Sequence, residues 1–225
     1  MRILALIPAY NEAERIGAII KRSTLHLPVL VVDDGSNDET ALVAAEAGAT
    51  VLHCTSNQGK GAALRAGFQW ALEAGYAAVL TLDADGQHDP AEIPKFLQSY
   101  AEQATDLIIG ARSFSDMPFA RRVANSVGCQ LLSWVLGEKI RDNQSGYRFI
   151  SRRLMEQTLV STECGFEFEV EMLVTCLLAK LHLAWVPIRT IYAGESSHIA
   201  PWAHTRNFLR MVWRTRQRVK GETIT

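Results

Sequence analysis

The sequence predicts an α/β protein of one domain, built on a mainly parallel β-sheet with helices on both faces. Three observations lead there. Short apolar runs alternate with longer amphipathic stretches from residue 1 to about residue 112, and strand–helix alternation implies crossover connections and therefore parallel pairing. The runs are apolar at nearly every position, as strands covered on both faces must be. Acidic residues and glycines gather directly after the runs, at the edge where such sheets bind ligands.

The first run, 3–7, leads to a helical stretch at 12–22 whose apolar residues recur near every 3.6 positions. The same alternation places strands at 29–32, 50–53, 78–82 and 107–109, with helices at 39–47, 61–74 and 91–103 between them. Asp89 and Pro90 supply a capping carboxylate and a first-turn proline for the last of these helices. Beyond Arg112 the regular pattern stops. A helix is expected over 119–136, a short segment around 145–150, a helix over 166–181, a strand near 185–192 and a final helix over 203–219. No linker, repeat or low-complexity segment separates the halves, so 1–225 reads as one unit: residues 1–112 form a ligand-binding half, and 113–202 pack on the same sheet ahead of the last helix, 203–225.

A chain of 225 residues is long enough for a single core that hides roughly 70–75% of the surface exposed when unfolded. With 48% hydrophobic and 21% charged residues, the composition excludes disordered, collagenous and disulfide-scaffold classes. The net charge of −1 hides an asymmetry: residues 1–110 hold 7 Lys and Arg against 14 Asp and Glu, and 111–225 hold 16 against 10. An acidic half suits a divalent cation and a basic half suits phosphate or an anionic surface, a combination unlike that of a nucleic-acid-binding module. Cys54, Cys129, Cys164 and Cys176 are widely spaced without a CxxC pair, which points to reduced thiols and a cytoplasmic location. The opening MRILALIPAY turns polar at Asn11 and Glu12 and reads as a buried strand rather than a signal peptide. No apolar run approaches the roughly 18–20 residues of a membrane-spanning helix.

The strongest chemical signal is LTLDADGQHDP, in which an apolar strand delivers Asp83 and Asp85 immediately before a glycine turn. Hard carboxylate oxygens in such a place suit Mg2+ or Mn2+, which retain waters and complete their shells with substrate phosphates. Gln87 offers a further oxygen. The bland alternative is a solvated Asp-rich turn. Against it stands the second cluster, VVDDGSNDET, where Asp33 and Asp34 end a strand and Ser36 or Asp38 caps the next helix. In NQGKGAALRAG, Gly59 and Gly61 allow close backbone approach and Lys60 could offset phosphate charge, although the spacing is not that of a P-loop.

Taken in order, PAYNE, VDDGSNDET, NQGKGAALRAG, LDADGQHDP and SGYR resemble the nucleotide-sugar glycosyltransferases of family 2, and within them the dolichyl-phosphate mannose synthase and polyprenyl-phosphate glycosyltransferase branch. The resemblance implies the GT-A, Rossmann-like nucleotide-diphospho-sugar transferase fold and inverting, metal-dependent transfer from a UDP- or GDP-sugar to a lipid phosphate. It implies that Pro8, Tyr10, Glu12 and Asp34 bind the nucleoside, with Lys60, Asp83 and Ala84 on the donor side. Asp85 and Gln87, with Asp83 beside them, would ligate Mg2+ or Mn2+. Arg112 would approach the donor diphosphate and, with Asp85 and Arg148, serve the chemistry; the alternative for Arg112 is a surface loop charge. Ser145 and Arg148 of SGYR would lie beside the acceptor phosphate, while an equally simple reading has Arg148 anchoring the chain to Asp142 or a glutamate. Glu167 stands as an acceptor-side residue or, with Glu171, as part of a solvated stripe. GESSHI departs from the GxSK pattern of the mannose synthases, and His198 takes the place of the family lysine, as a phosphate contact or a plain loop residue.

A lipid phosphate is already ionised near neutral pH and needs no general base, whereas a sugar hydroxyl acceptor would need one. Asp142, Glu167 and Glu169 are the candidates in that second case. In the final helix, Phe208, Leu209, Val212, Trp213 and Val219 fall on one stripe, with Arg206, Arg210, Arg214 and Arg218 on the other side. Such a helix either lies on an anionic membrane surface, at the cytoplasmic face, or packs on the core with its basic face exposed. A glycan-directed transferase, a sugar-phosphate nucleotidyltransferase and a non-catalytic nucleotide-sugar-binding subunit are the alternative functions.

Overall fold

A computed structural model describes residues 2–114, 119–165, 167–189, 191 and 201–221, with the side chains of 119–121 and 201–207 outside that description. Seven strands form one sheet: β1 (Ile3–Ala9), β2 (Val29–Asp33), β3 (Thr50–His53), β4 (Ala78–Thr81), β5 (Leu107–Arg112), β6 (Arg148–Ser151) and β7 (Leu183–Ile188). Their order is β3-β2-β1-β4-β6-β5-β7. All neighbours are parallel except β6, which runs antiparallel to both β4 and β5. The segment expected around 145–150 is thus an interior strand. Its four residues are too few to show a period.

Helices α1 (Ala13–Ser23), α2 (Thr40–Glu46), α3 (Lys60–Glu73) and α4 (Ile93–Gln103) connect the first five strands, and α5 (Phe119–Leu136), α6 (Arg152–Thr158), α7 (Glu167–Leu178) and α8 (Pro201–Val219) belong to the second half. Hydrophobic periodicity does not predict α6, a two-turn helix that starts directly from β6 with Ser151 Oγ accepting the Leu154 amide as its cap. Strand β7 ends at Ile188 rather than near 192. Asp89 does cap a 3-10 turn at Pro90–Glu92, accepting the Ala91 amide at 2.9 Å, before α4 begins.

Alternate residues of each strand feed two cores. Leu4, Leu6, Leu30, Val32, Val79 and Ile150 face α3, α6 and α7, and Ala5, Ile7, Val29, Val31, Leu80 and Phe149 face α1, α2 and α4. Pro8 is tolerated inside β1 because its backbone points to the β4 side, beyond Leu6, the last residue paired there. No bond of the ladder is lost.

The stripe expected on the last helix is divided. Phe208 and Val212 join Met211 against the core, while Leu209 and Trp213 are 52% and 57% exposed. Arg214 and Arg218 are drawn to Glu163 at 3.1 Å and Glu171 at 2.6 Å. The buried face includes Met211 and Thr215 and is therefore rotated from the one hydropathy alone selects.

Candidate active site

At the carboxyl edge of the sheet, two loops lock together. The amides of Asn11, Glu12 and Ala13 donate to Ser36 Oγ, Thr40 Oγ1 and Asp38 Oδ2 at 2.9, 2.8 and 3.2 Å, and Asn37 donates back to Asn11 Oδ1 at 2.8 Å. Asp38 also accepts the Thr40 amide at 3.0 Å, so the capping expected of it is shared between α1 and α2. Tyr10 stands at the tip, 41% exposed, beside the half-buried Glu12, whose carboxylate meets Arg15 at 3.0 Å. Pro8 and Ala84 are buried at the adjoining strand ends.

Asp34 accepts the amides of Gln58 and Gly59 at 3.0 and 2.8 Å and is 4% exposed. Both oxygens therefore hold the turn that opens α3, a structural duty not visible in the sequence. Gly59 has φ +93°, a left-handed conformation that a side chain would strain. Gly61 and Ala62 donate to the Cys164 carbonyl at 2.7 and 3.4 Å. The close approach expected of the two glycines is thus made to the chain itself, in front of α7.

Lys60 follows from this turn and lies between two carboxylates, 2.5 Å from Asp83 Oδ1 and 2.9 Å from Glu169 Oε1. Burial alone would lower its pKa, but Asp83 and Glu169 outweigh that and hold the ammonium above the ordinary lysine value. Burial likewise would raise Asp83, and Lys60 reverses the effect, leaving Asp83 at about 2. Glu169, considered from sequence only as a general base, is 3% exposed and committed to this cluster. A Cβ at Gly146 would come within 2.7 Å of Asp83 Oδ1 and 2.8 Å of Lys60 Nζ. A side chain at this position of SGYR would have to displace the charged ends of Asp83 and Lys60.

The DADGQHD turn is fixed from behind. His88, 3% exposed, accepts the Asp83 amide on Nδ1 at 3.0 Å, and its ring packs 5.0 Å from that of Tyr147. Burial pushes its pKa down to about 4 despite the attraction of Asp83, so the imidazole is neutral at pH 7 and suited to accepting that amide. His88 stands within the motif, but nothing in the one-dimensional pattern marks its role. Asp85 and Gln87 are half-buried, and the Gln87 amide donates to Asp85 Oδ1 at 2.9 Å.

Arg112, at the end of β5, forms a two-pronged pair with Asp142, Nε to Oδ2 at 2.7 Å and Nη2 to Oδ1 at 2.9 Å. It is not a plain surface charge. Asp142, fully buried, also receives the amides of Gln144 and Ser145 at 3.1 and 3.2 Å. Arg148 is 1% exposed and donates to the carbonyls of Ser145, Asn143 and Glu169. Its guanidinium ties the loop before β6 to α7 through main-chain carbonyls, not through the carboxylate of Asp142 or of a glutamate. Ser145 is wholly buried in the same loop. Glu167 is half-buried at the start of α7, while Glu171, once grouped with it, accepts from Arg218 at 2.6 Å. His198 lies outside the described residues.

The motifs thus meet in one connected array: Asp34 to Gly59, Lys60 to Asp83, Asp83 to Gly146, and the loop that carries Gly146 to Arg112 through Asp142. Comparison with known proteins gives the family. A profile described as glycosyl transferase family 2 matches residues 5–159. The chain belongs to that family. It is 34% identical over 203 residues to a polyprenol monophosphomannose synthase of Mycolicibacterium smegmatis, covering 83% of this chain and 76% of the relative. It is 33% identical to an undecaprenyl-phosphate mannosyltransferase of Micrococcus luteus, covering 87% of each. Among solved structures, glucosyl-3-phosphoglycerate synthase of Mycobacterium tuberculosis, in complex with Mn2+, UDP and glucosyl-3-phosphoglycerate, superimposes with a TM-score of 0.75 at 20% identity. That match covers 100% of this chain and 81% of the other. This family 2 glycosyltransferase has the GT-A fold, and among its described residues no helix is long and apolar enough to cross a membrane.

The donor set fits a divalent metal of the Mg2+ or Mn2+ kind in part. Among the described residues no cluster of three or more His, Cys, Asp or Glu forms a complete cage, but such ions take few protein oxygens when a diphosphate supplies the rest. Asp85 accepts the Gln87 amide, whereas Asp83 is turned to Lys60.

Proposed function

We propose that this glycosyltransferase inverts the anomeric centre as it moves a sugar from a UDP- or GDP-sugar to a polyprenyl phosphate, at the cytoplasmic face of a membrane. One observation of the site carries the choice of acceptor. Asp142 and Glu169, two of the three acids suited to act as a general base for a hydroxyl, are committed to Arg112 and Lys60. A phosphate acceptor is ionised before it arrives and attacks without surrendering a proton to the protein. The named activities of the polyprenyl-phosphate relatives support the same choice.

On this reading Tyr10, Glu12 and the adjoining Pro8 and Ala84 surround the nucleoside, with Asp34 setting the loop that completes the pocket. Asp85, with Gln87 and with Asp83 alongside, would hold Mg2+ or Mn2+, which when bound neutralises charge on the departing nucleoside diphosphate. Arg112, oriented by Asp142, faces the diphosphate as a fixed guanidinium. The loop 142–147, held by Arg148 and by Ser145, forms the acceptor wall, with Glu167 at its rim and His198 assigned to the same side from sequence.

The test is transfer from a panel of UDP- and GDP-sugars to a short-chain polyprenyl phosphate, with Mg2+ or Mn2+, for the wild type and Asp85→Ala. Expected is transfer to the lipid phosphate that Asp85→Ala abolishes with the fold intact by circular dichroism. Donor turnover onto hydroxyl glycans alone would overturn the acceptor, and an unchanged rate in Asp85→Ala would overturn the metal assignment.

A further inference from the structure

The second half of the chain reaches into the donor site through the first turn of α7. Phe168 is wholly buried there against Phe68, their ring centres 6.0 Å apart, and a Cβ at Gly61 would stand 2.8 Å from that of Phe168. Helix α7 is therefore seated on the first turn of α3, which carries Lys60. Its third residue, Glu169, is buried and meets the Lys60 ammonium at 2.9 Å, while its main-chain carbonyl accepts from Arg148. A carboxylate in the first turn is also favourably placed for the helix dipole. Packing thus delivers a charge from the acceptor side to the lysine that holds Asp83.

The charges around that lysine balance. Arg148 lies within electrostatic reach of Glu169, Asp142 and Asp83, and Arg112 within reach of Asp83 as well as its partner Asp142. Asp83, Asp142 and Glu169 therefore stand against Lys60, Arg112 and Arg148, with His88 neutral beside Asp83. Proteins tune divalent-cation affinity by the charge they gather at the site. In a confined, partly desolvated place each added or removed unit charge acts on a dication with little screening. Removing one acid from this array leaves an excess positive charge two residues from Asp85, and removing one base leaves an excess negative charge there.

We propose that Glu169 is a positioning residue for the metal: from the acceptor half it supplies the negative charge that offsets Lys60, and so sets how tightly Mg2+ or Mn2+ is held at Asp85 and Gln87. The inference rests on the metal assignment above and extends it to a residue outside the DADGQHD turn. Lys60 fixes the Asp83 carboxylate, but an unbalanced ammonium beside Asp83 would repel a dication. Glu169 keeps the first effect and removes the second. Loss of Glu169 and loss of Lys60 therefore shift metal affinity in opposite directions, which damage to packing does not do.

The experiment is Mn2+ binding to the full chain in the presence of UDP or GDP, read from the electron paramagnetic resonance signal of free Mn2+. Wild type is compared with Glu169→Gln, Glu169→Asp, Lys60→Met, Lys60→Met/Glu169→Gln and Asp85→Ala, with circular dichroism checking each fold. Glu169→Gln keeps the shape of the side chain and an oxygen for Lys60 and loses the charge. Expected is affinity about tenfold weaker in Glu169→Gln, about tenfold tighter in Lys60→Met, and near wild type in the double variant and in Glu169→Asp. In steady-state transfer the Glu169→Gln change should appear as a higher Mn2+ requirement more than as a lower kcat. If Lys60→Met does not fold, Glu169→Gln against Glu169→Asp carries the test. Equal affinity of Glu169→Gln and wild type would overturn the proposal, and so would weaker binding in both Glu169→Gln and Lys60→Met. Binding lost in Asp85→Ala but unchanged in Glu169→Gln defeats this proposal and leaves the metal assignment standing. No binding by the wild type, or unchanged binding in Asp85→Ala, defeats the metal assignment and the proposal with it.

Discussion

Replacing Lys60 by methionine removes the ammonium that is paired with both Asp83 and Glu169 and leaves the two carboxylates without it in a confined space. The lysine holds Asp83 at about 2 against an ordinary 3.8, a shift of roughly two pH units or about 2–3 kcal/mol. Loss of the Glu169 contact adds to this, and removal of one partner from a buried pair costs about 3–5 kcal/mol in other proteins. An overall loss of about 3 kcal/mol is expected. Equilibrium urea unfolding reads it directly: with a slope of about 2 kcal/mol per molar, the midpoint falls by about 1.5 M. Adding Glu169→Gln to Lys60→Met should recover part of the loss, because one unpaired carboxylate disappears. The pH dependence changes sign as well. In the wild type a depressed Asp83 contributes stability above about pH 4 that vanishes as the pH falls to about 2, whereas in Lys60→Met protonation relieves repulsion and stability rises on acidification. A midpoint within about 0.3 M of wild type, together with an unchanged acid limb, would show that the cluster contributes nothing and refute the reasoning.

Three further outcomes follow from the same contacts. Arg112→Ala strands the fully buried Asp142 and should lower stability by about 3 kcal/mol and kcat/KM by at least about a hundredfold, while Arg112→Lys keeps the charge and loses the two-pronged geometry; steady-state kinetics beside thermal melts distinguish the two. Gly146→Ala drives a methyl group into Asp83 and Lys60, and its kcat should fall with little change in donor affinity, read by comparing transfer with nucleotide binding. Burial pushes the thiols of Cys129 and Cys176 up to about 11 and about 12, so an aromatic disulfide reagent at pH 8 should label exposed Cys164 rapidly and leave those two unmodified until the protein unfolds.

The first half was legible because its physics is periodic. Doubly covered strands such as Leu4–Ile7 and Val29–Val32 are apolar throughout, and polar residues reappear only where the sheet ends, so both the order of elements and the ligand edge could be read off. The motifs were legible as neighbours for the same reason. What hid was the direction of individual side chains. Asp34 and Lys60 look like ligand-facing charges in one dimension, and both turn to partners 23 or more residues away. Arg148 had two readings that no local pattern separates, since its three carbonyl partners come from the preceding loop and α7. Strand β6 and helix α6 are four and seven residues long, shorter than a reliable periodic window. The face that α8 buries includes Thr215, a polar residue that a hydropathic stripe does not select.

Strand β6 also sets a limit on motion. It is laced to β4 on one edge and to β5 on the other, so the segment contributed by the acceptor half sits inside the sheet of the donor half and cannot be lifted from it without severing both ladders. A clamshell that opens between two lobes, as hinged enzymes use to admit and release substrate, is closed to this molecule by its topology. Exchange of donor and product must instead run through the loops along the carboxyl edge, and the slow step of a catalytic cycle governed by release would be set there rather than by the movement of one half against the other.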